Sequence, residues 1–348
     1  LRQGCLSSAP RTVSFAISLR TLDLYRRLRV RQPRVSVQAW VCVLCDLHNM
    51  PYSWQLWRMF TDTFNVYLRI LRGIDARVNS ILKRTDANWC VTHSCPSCQY
   101  KLVDDPPLRV AVISALDGNQ SLKRVRLREG LEADPHTFQS TYYVPEEEVN
   151  RFQYDVKARA ERPKATVADG DDNDTTCTDR WKAAMNDNLK RMWAIYRETG
   201  IFPSACRHGM IWWFCDMVES GELAKYPLAL LELILDIFGD DVRLGYDIGC
   251  SFTATIKKSS LARKALLCRL RMVVPAFHGY AHNHLCQLLF HPLMLLRFGI
   301  EDLELCERIF AAFNGLANSM PPRSTASKVS TSSHNNGTTT NILSCQTF

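Results

Sequence analysis

Two aspartates and a later glutamate-rich segment have the residue types that divalent-metal chemistry on phosphodiesters requires. Asp117 and Asp247 each end an apolar run, and four carboxylates follow within residues 301–307. Hard carboxylate oxygens from separate elements hold Mg²⁺ while it activates the attacking oxygen and stabilises the leaving one. The pattern therefore predicts a site for phosphoryl transfer on a polynucleotide, with one aspartate at the end of each of two strands.

The third carboxylate of such a site has several candidates in the sequence: Glu301, Asp302, Glu304 and Glu307. The apolar spacing predicts a helix over 301–317 that leaves Glu304, Glu307 and Arg308 on one face. The alternative is that Glu304 and Arg308 form an exposed ion pair, which would contribute about 0.3–0.5 kcal/mol and nothing more.

Cysteines and histidines at metal-ligand spacing indicate a second kind of chemistry. Four such residues lie within nine positions: Cys90, His93, Cys95 and Cys98. The Cys95-Pro-Ser-Cys98 stretch has the knuckle form that presents two thiolates to Zn²⁺. We expect a structural zinc ion here, and a simple turn with free thiols is the alternative.

A further set of potential zinc ligands lies downstream. His278, His282 and Cys286 are four residues apart and would share one face if 278–286 were helical. With Cys206 and His208 they are expected to form a second zinc site, and histidines packed in the core or lining a DNA groove are the alternative. Cys42 and Cys45, by contrast, lie in an apolar helical stretch and are predicted to be core residues.

Hydrophobic periodicity predicts the elements that would position these residues. The first third should be mainly helical, with an aromatic core stripe from Trp40 through Leu47 and Trp54 to Leu71. Residues 108–116 suit a central strand, paired in a hairpin with 122–127. Further strands are expected over 242–248 and 272–277. Helical spacing is found at 180–198, 224–238, 281–291 and 301–317.

The net positive charge comes entirely from the first third of the chain. The formal net charge is +8, and residues 1–105 contain 15 Lys and Arg against 7 Asp and Glu, whereas the remainder has 28 of each sign. Arg26, Arg27 and Arg29 belong to a segment in which arginines alternate with apolar residues, so their guanidinium groups could face phosphates. A solvated helix face is the alternative.

A shorter basic stretch follows the first aspartate. Lys123, Arg124 and Arg126 come within nine residues of Asp117. Cationic side chains next to a phosphoryl-transfer site neutralise nearby phosphates. These three residues are therefore expected to contact DNA.

Composition disfavours several classes of protein. No apolar run reaches the length of about 18 residues that spans a membrane, and no signal peptide opens the chain. The 14 cysteines lie in a long chain, many inside apolar stretches, which favours reduced thiols and metal sites over a disulfide framework. The polar segment 145–176 is predicted to be an exposed loop and 319–348 a disordered tail.

Short stretches spread over about residues 10–320 resemble, in order, motifs of the Kyakuja, Dileera and Zisupton (KDZ) transposases, which are abundant in mushroom-forming fungi. The stretches are Cys45-Asp-Leu-His48, Ser94-Cys-Pro-Ser-Cys-Gln-Tyr-Lys-Leu102, Leu116-Asp-Gly-Asn-Gln-Ser-Leu-Lys-Arg124, Thr199-Gly-Ile-Phe202, Cys206-Arg-His-Gly209, Ser220-Gly-Glu-Leu-Ala-Lys-Tyr-Pro-Leu228, Tyr246-Asp-Ile-Gly-Cys250, Phe277-His-Gly-Tyr-Ala-His282 and Glu301-Asp-Leu-Glu-Leu-Cys-Glu-Arg308.

The resemblance implies an α/β fold with an RNase H-like core of the retroviral integrase superfamily. It implies a mainly helical basic region over 1–105 that ends in the cysteine knuckle, a core over 106–318 with a helical insertion at about 140–240, and a disordered tail. It also implies Glu304 as the third catalytic carboxylate, with Glu307 in reserve. The family usually has a glycine between the positions of Asp302 and Glu304, and in this sequence that residue is Leu303.

The activity that the resemblance implies is that of a DDE-type transposase. Such an enzyme uses Mg²⁺ or Mn²⁺ to hydrolyse phosphodiesters at transposon ends and to transfer the freed strand. Its partner is double-stranded DNA, with homo-oligomeric assembly and a nuclear location. The alternative is a catalytically inactive, zinc-stabilised DNA-binding or structural remnant. Because Leu1 stands where a start methionine would, and because the tail is abnormal, a truncated copy is expected.

Overall fold

The computed structural model describes residues 3–9, 13, 15–32, 34–106, 109–125, 140–155 and 196–317. These residues form two compact units, one from the described residues up to Trp89 together with 315–317, and the other from the described residues between Cys90 and Asn314. The expected tail and the polar segment beyond Asp155 lie outside the described residues. Within the described ranges, no helix combines the length and the apolar character that crossing a bilayer requires.

The described residues up to Ile81 form a small strand pair and three helices. Strands β1 (Cys5–Ser7) and β2 (Ala16–Ser18) pair antiparallel. Each helix begins after a serine whose side chain accepts a hydrogen bond from a backbone N–H three residues later, which satisfies an otherwise unpaired donor. The helices are α1 (Leu19–Arg31), α2 (Val37–Leu47) and α3 (Trp54–Ile81), capped by Ser18, Ser36 and Ser53.

Tyr25 is at the centre of this unit's core. Its ring stacks on Trp40 at 5.6 Å and meets the edges of Phe60 and Phe64 at 5.3 and 4.9 Å. The predicted aromatic stripe is wrong at two positions, because Leu47 is 71% and Trp54 is 59% exposed. Both residues lie at helix ends, where the periodicity continues but the neighbouring helix no longer covers the side chain.

The second unit is built on a six-stranded mixed sheet. Its strands are β3 (Val112–Leu116), β4 (Arg124–Val125), β5 (Tyr196–Cys206), β6 (Ile211–Val218), β7 (Val242–Gly245) and β8 (Arg271–Val273). Ser204 pairs with Leu116 on one side and with Trp213 on the other, so β3 and β6 flank β5 on opposite edges. On its other edge β3 pairs in parallel with β7, which in turn pairs in parallel with β8.

Two expectations about this sheet are wrong. Residues 124–125 pair with β5 and not with β3, so the predicted hairpin does not form. Residues 196–198 were expected to end a helix, but they begin β5. The hairpin of β5 and β6 falls within the range where a helical insertion was expected. The pattern missed β5 because Gly200 and Pro203 lower its strand propensity and because its last nine residues are all buried, which removes the alternation.

Helices cover this sheet and lie close to its edges. Beyond the first unit they are α4 (Trp89–His93), α5 (Pro96–Gln99), α6 (Glu146–Asn150), α7 (Lys225–Phe238), α8 (Gly249–Lys258), α9 (Ala262–Leu267), α10 (Ala276–Gly279), α11 (His284–Phe290) and α12 (Leu305–Ala317). Helix α7 is the most deeply buried, and its Tyr226, Leu228 and Leu231 are almost inaccessible to solvent. The helix predicted over 281–291 is shorter than expected, since 280–283 form a turn between α10 and α11.

Candidate active site and metal centres

The parallel pairing of β3 with β7 brings Asp117 and Asp247 together. Ala115 lies opposite Gly245 in the register of these strands. Each aspartate is two residues beyond that pair, at the same end of two neighbouring strands. The Asp117 side chain accepts a hydrogen bond from the backbone N–H of Gly118 at 2.7 Å, and only 8% of the residue is exposed.

Burial and mutual repulsion disfavour negative charge at both aspartates. Burial raises the pKa of Asp117 well above its ordinary value, and the charges of Asp247 and two glutamates add to this effect. Burial also raises the pKa of Asp247 to about 6, although the nearby His278 opposes the shift. A site that concentrates carboxylates against their own repulsion fits a divalent cation, whose charge would relieve it.

His278 connects three of the carboxylates. Its Nε2 lies 3.3 Å from Asp247 Oδ2 and 4.0 Å from Glu307 Oε1, while its Nδ1 lies 3.2 Å from Glu304 Oε2. The hydrogen bond to Glu304 is the main reason why the pKa of His278 is raised. His278 was predicted to share a metal site with His282 and Cys286, but it lies with the carboxylates instead. Helix α10 ends at Gly279, and the chain turns before it reaches His282.

The two candidate glutamates have different surroundings. Both oxygens of Glu304 are engaged, since Oε1 accepts from the backbone N–H of Phe277 at 2.7 Å and Oε2 faces His278. The Glu307 side chain is 55% exposed, and its charge raises the pKa of both aspartates. The alternative pair of Glu304 with Arg308 is wrong, because Arg308 bonds Asp302 at 2.9 Å.

Glu222 is a carboxylate of this cluster that the sequence reasoning missed. It follows β6, and a Cβ built on Gly118 would lie 2.5 Å from its Cδ, so only glycine at 118 permits this approach. Burial, and next the charge of Asp247, raise the pKa of Glu222 to about 7. Its one sequence signal was membership in the stretch Ser220–Leu228, which carries no chemical pattern of its own.

Cys95, Cys98, Cys206 and His208 form a compact cluster whose four donor atoms all lie within 4.8 Å of one another. His208 Nδ1 is 3.3 Å from Cys95 Sγ and 3.1 Å from Cys98 Sγ. Cys206 ends β5, and a turn completed by Gly209 in the left-handed region, with φ of 80°, presents His208. Three thiols and one imidazole are a ligand set typical of structural zinc.

This grouping differs from both predicted zinc sites. Cys206 and His208 join the knuckle instead of the downstream residues, and Cys90 and His93 are not part of the group. The hydrogen bond between Cys98 and Cys206 lowers the pKa of Cys206 to about 5 and raises that of Cys98. Spacing along the chain could not predict this set, because Cys98 and Cys206 are 108 positions apart and only the sheet brings them together.

A second group consists of Cys250, His282 and Cys286. His282 and Cys286 were expected to be ligands, but their partner is Cys250 and not Cys206 or His208. Spacing along the chain does not mark Cys250 as a ligand, because it stands alone in the sequence, three residues after Asp247.

The predicted DNA-contacting residues are in part engaged with protein groups. Arg26 and Arg27 both pair with Asp23, at 2.7 and 2.6 Å. Burial raises the pKa of Tyr25, and the nearby charge of Arg29 opposes this shift. In the second unit, Arg124 makes a two-pronged ion pair with Glu198. Lys123 lies over the ring of Tyr196 at 5.8 Å. Arg126 lies outside the described residues.

These features define an α/β protein with a mixed sheet, an acidic cluster at adjacent strand ends and Cys/His groups compatible with zinc. Residues 110–332, more than half of the chain, match the model of the Kyakuja-Dileera-Zisupton transposase. The chain therefore belongs to the KDZ transposase family. No curated protein and no solved structure gives a significant match.

Proposed function

We propose that this chain is a DNA transposase in which Asp117, Asp247 and Glu307 hold catalytic Mg²⁺ or Mn²⁺. The observation that carries this proposal is the position of the two aspartates, one beyond the end of each of two adjacent parallel strands. Membership in a transposase family gives that carboxylate pair a substrate, which is double-stranded DNA at transposon ends and at the target. Action on chromosomal DNA implies a nuclear location.

The sheet supports an RNase H-like core for this enzyme. In an RNase H-like sheet the strands that carry the two aspartates are neighbours, as β3 and β7 are here. The antiparallel strands β5 and β6 continue the sheet on one side of this pair, and β8 continues it on the other. The core proposed for 106–318 thus includes β5 and β6 as sheet strands.

We infer that Glu307, and not Glu304, is the third metal-facing carboxylate. Glu304 already accepts two hydrogen bonds, from Phe277 N and from His278, so it serves to orient the histidine. Glu307 lies within electrostatic reach of both aspartates and keeps an exposed side chain. A carboxylate that is accessible and near both partners is the better donor for a shared ion.

Each residue then has a defined part in phosphodiester hydrolysis and strand transfer. The bound divalent ions would supply activation of the attacking oxygen and charge neutralisation at the leaving oxygen. Gly118 N–H fixes one oxygen of Asp117, and His278, itself held by Glu304, orients Asp247. The same residues serve both steps, because in each an oxygen nucleophile attacks a phosphodiester. The nucleophile is water in the first step and the freed 3′-hydroxyl in the second.

We also infer that Cys95, Cys98, Cys206 and His208 bind one structural zinc ion. The four donors come from the knuckle before β3 and from the turn after β5. A closed set of four protein ligands leaves no position for substrate, which is the arrangement of structural zinc. The ion would fasten the knuckle to the sheet that carries Asp117.

The deciding experiment compares the wild-type chain with Asp247→Asn and with the control Asp236→Asn, which changes an exposed carboxylate that pairs with Lys264. Mn²⁺ binding is followed by electron paramagnetic resonance, and nicking of supercoiled plasmid is followed with Mg²⁺ or Mn²⁺. We expect Asp247→Asn to lose nicking and to weaken Mn²⁺ binding at least about 10-fold, with the control unchanged.

The outcomes separate the enzyme from the inactive remnant. Nicking that survives Asp247→Asn excludes the assigned site. A wild-type chain that binds DNA but neither binds Mn²⁺ nor nicks it is the zinc-stabilised remnant instead of an enzyme.

A further inference from the structure

The Cys250, His282 and Cys286 group has metal-site geometry in close proximity to the acidic cluster. Nδ1 of His282 lies 3.5 Å from Cys250 Sγ and 3.4 Å from Cys286 Sγ, and the three donor atoms all lie within 4.8 Å of one another. Cys286 is buried, and the other two are half-buried.

These distances match the spacing of ligands around a tetrahedral zinc ion. With Zn–S of about 2.3 Å and Zn–N of about 2.0 Å, a tetrahedral angle places sulfur and nitrogen about 3.5 Å apart. A thiol–imidazole hydrogen bond could account for one such contact. It does not account for two sulfurs, from two different helices, converging on the same ring nitrogen.

The chain holds the three donors in place by contacts that do not involve a metal. Cys250 is in the first turn of α8. Cys286 is in the first turn of α11, where its backbone N–H donates to the capping side chain of Asn283 at 2.8 Å. His282 lies in the intervening turn, and its carbonyl oxygen accepts from Gln287 Nε2 at 2.9 Å. The Asn283 cap and the Gln287 hydrogen bond therefore orient Cys286 and His282 before an ion binds.

We propose that Cys250, His282 and Cys286 bind a second zinc ion. These three are the ligands among the described residues, and a water molecule would complete the four-coordinate shell. The ion's 2+ charge would be offset by two thiolates, so it would not repel the catalytic cations nearby. Since one position is held by water, this zinc should exchange and be chelated more readily than the ion in the four-ligand cluster.

The second part of the proposal rests on the proposed transposase function and concerns Asp247. Cys250 is three residues after Asp247, and His282 is four residues after His278. Asp247 Oδ2 and His278 Nε2 are themselves 3.3 Å apart. A zinc ion at this place would link the same two segments that meet in the acidic cluster, so the three ligands act as positioning residues for the Asp247 carboxylate.

The test is the zinc content of the purified chain, measured by atomic emission together with protein concentration. We expect two zinc ions in the wild type and one in Cys250→Ser. We also expect one in Cys98→Ser, which disrupts the other cluster, and none in the double variant. Cys268→Ser is the matched control, since Cys268 is a half-buried cysteine outside both groups, and it should keep two.

A conservative variant keeps the test valid if a substitution impairs folding. His282→Cys supplies a thiolate in place of the imidazole and should retain two zinc ions, whereas His282→Ala should retain one. The positioning role predicts in addition that Cys250→Ser weakens Mn²⁺ binding at the acidic cluster by about 10-fold, which is the scale of losing an orienting partner, while Cys268→Ser does not.

The results distinguish this proposal from the proposed function. Two zinc ions retained in Cys250→Ser, or a wild type whose only zinc is lost in Cys98→Ser, would overturn the second site even if DNA nicking is intact. Two ions that follow the expected pattern in a chain without nicking would leave the zinc site standing and remove the enzyme. Zinc that follows the pattern without any change in Mn²⁺ binding would overturn the positioning role.

Discussion

His278 divides the carboxylates of the cluster into two kinds. It bonds Glu304, which also accepts from a backbone N–H, and it approaches Asp247 and Glu307 with its other nitrogen. We therefore propose that Glu304 positions the histidine and that Glu307 faces the catalytic cation. Sequence could not separate these roles, because both glutamates lie on the same predicted helix face.

Substituting the two glutamates separately should give losses of different size. Glu304→Gln keeps an acceptor for Phe277 N–H and should reduce Mn²⁺-dependent nicking by about 10- to 100-fold, the range for an orienting group. Glu307→Gln should reduce it by more than about 100-fold, because a metal-facing charge is lost. The two variants are compared by their nicking rates at saturating Mn²⁺. A larger loss of rate in Glu304→Gln than in Glu307→Gln would mean that Glu304 is the third metal ligand.

Glu222 should make the stability of the metal-free chain depend on pH. Burial raises its pKa to about 7 in the folded chain from the ordinary value of 4.5. Because the folded state favours the protonated form, this contribution to stability is full below pH 4.5 and is lost as the pH rises to 7. Glu222→Gln should therefore gain stability over the wild type, on the order of 1–3 kcal/mol, between pH 5 and 7.5.

Urea unfolding in the absence of divalent ions at several pH values measures this effect. Glu147→Gln, on an exposed glutamate of α6, is the control and should parallel the wild type. A difference between Glu222→Gln and wild type that stays constant with pH would contradict the burial of a protonated Glu222.

At the level of elements, the segment before α12 shows why the KDZ pattern usually has glycine at one position. Leu303 has φ of 60°, in the left-handed region that favours glycine, and its side chain is 1% exposed. It packs with Ile113, Val273 and Phe298. The strain of the left-handed backbone at Leu303 is therefore offset by the burial of its side chain.

This exchange predicts an unusual order of stability. Leu303→Ala loses the buried side chain and keeps the strain, so it should cost about 2–5 kcal/mol. Leu303→Gly loses the same burial but relieves about 1–2 kcal/mol of strain, so it should be more stable than Leu303→Ala. Denaturant midpoints compare the two, and Leu285→Ala against Leu285→Gly, on an exposed helical residue, should give the opposite order. Equal or reversed stability at 303 would mean that its backbone is not left-handed.

Over the whole molecule, the second unit concentrates its chemistry at one end of the sheet and at two Cys/His groups. The carboxylates come from the ends of β3 and β7, from the segment after β6 and from the start of α12. These positions span almost 200 residues of sequence, from Asp117 to Glu307. Folding brings them together because β3 and β7 pair in parallel, and this pairing is also what fixes the distance between the two aspartates.

The sequence by itself determined the local features of this protein. Apolar runs before Asp117 and Asp247 marked β3 and β7, the Cys95–Cys98 spacing marked a knuckle, and the order of short motifs marked the family. Each of these signals is contained within about ten neighbouring residues, where hydrophobic periodicity and ligand spacing act directly.

Only the tertiary structure decided which residues meet. Strand register placed the two aspartates side by side, the end of β5 carried Cys206 and His208 to the knuckle, and the break between α10 and α11 sent His278 to the carboxylates and His282 to Cys250. Glu222 entered the cluster through the space left by Gly118. Such encounters depend on non-local pairing and packing, which a one-dimensional pattern does not contain.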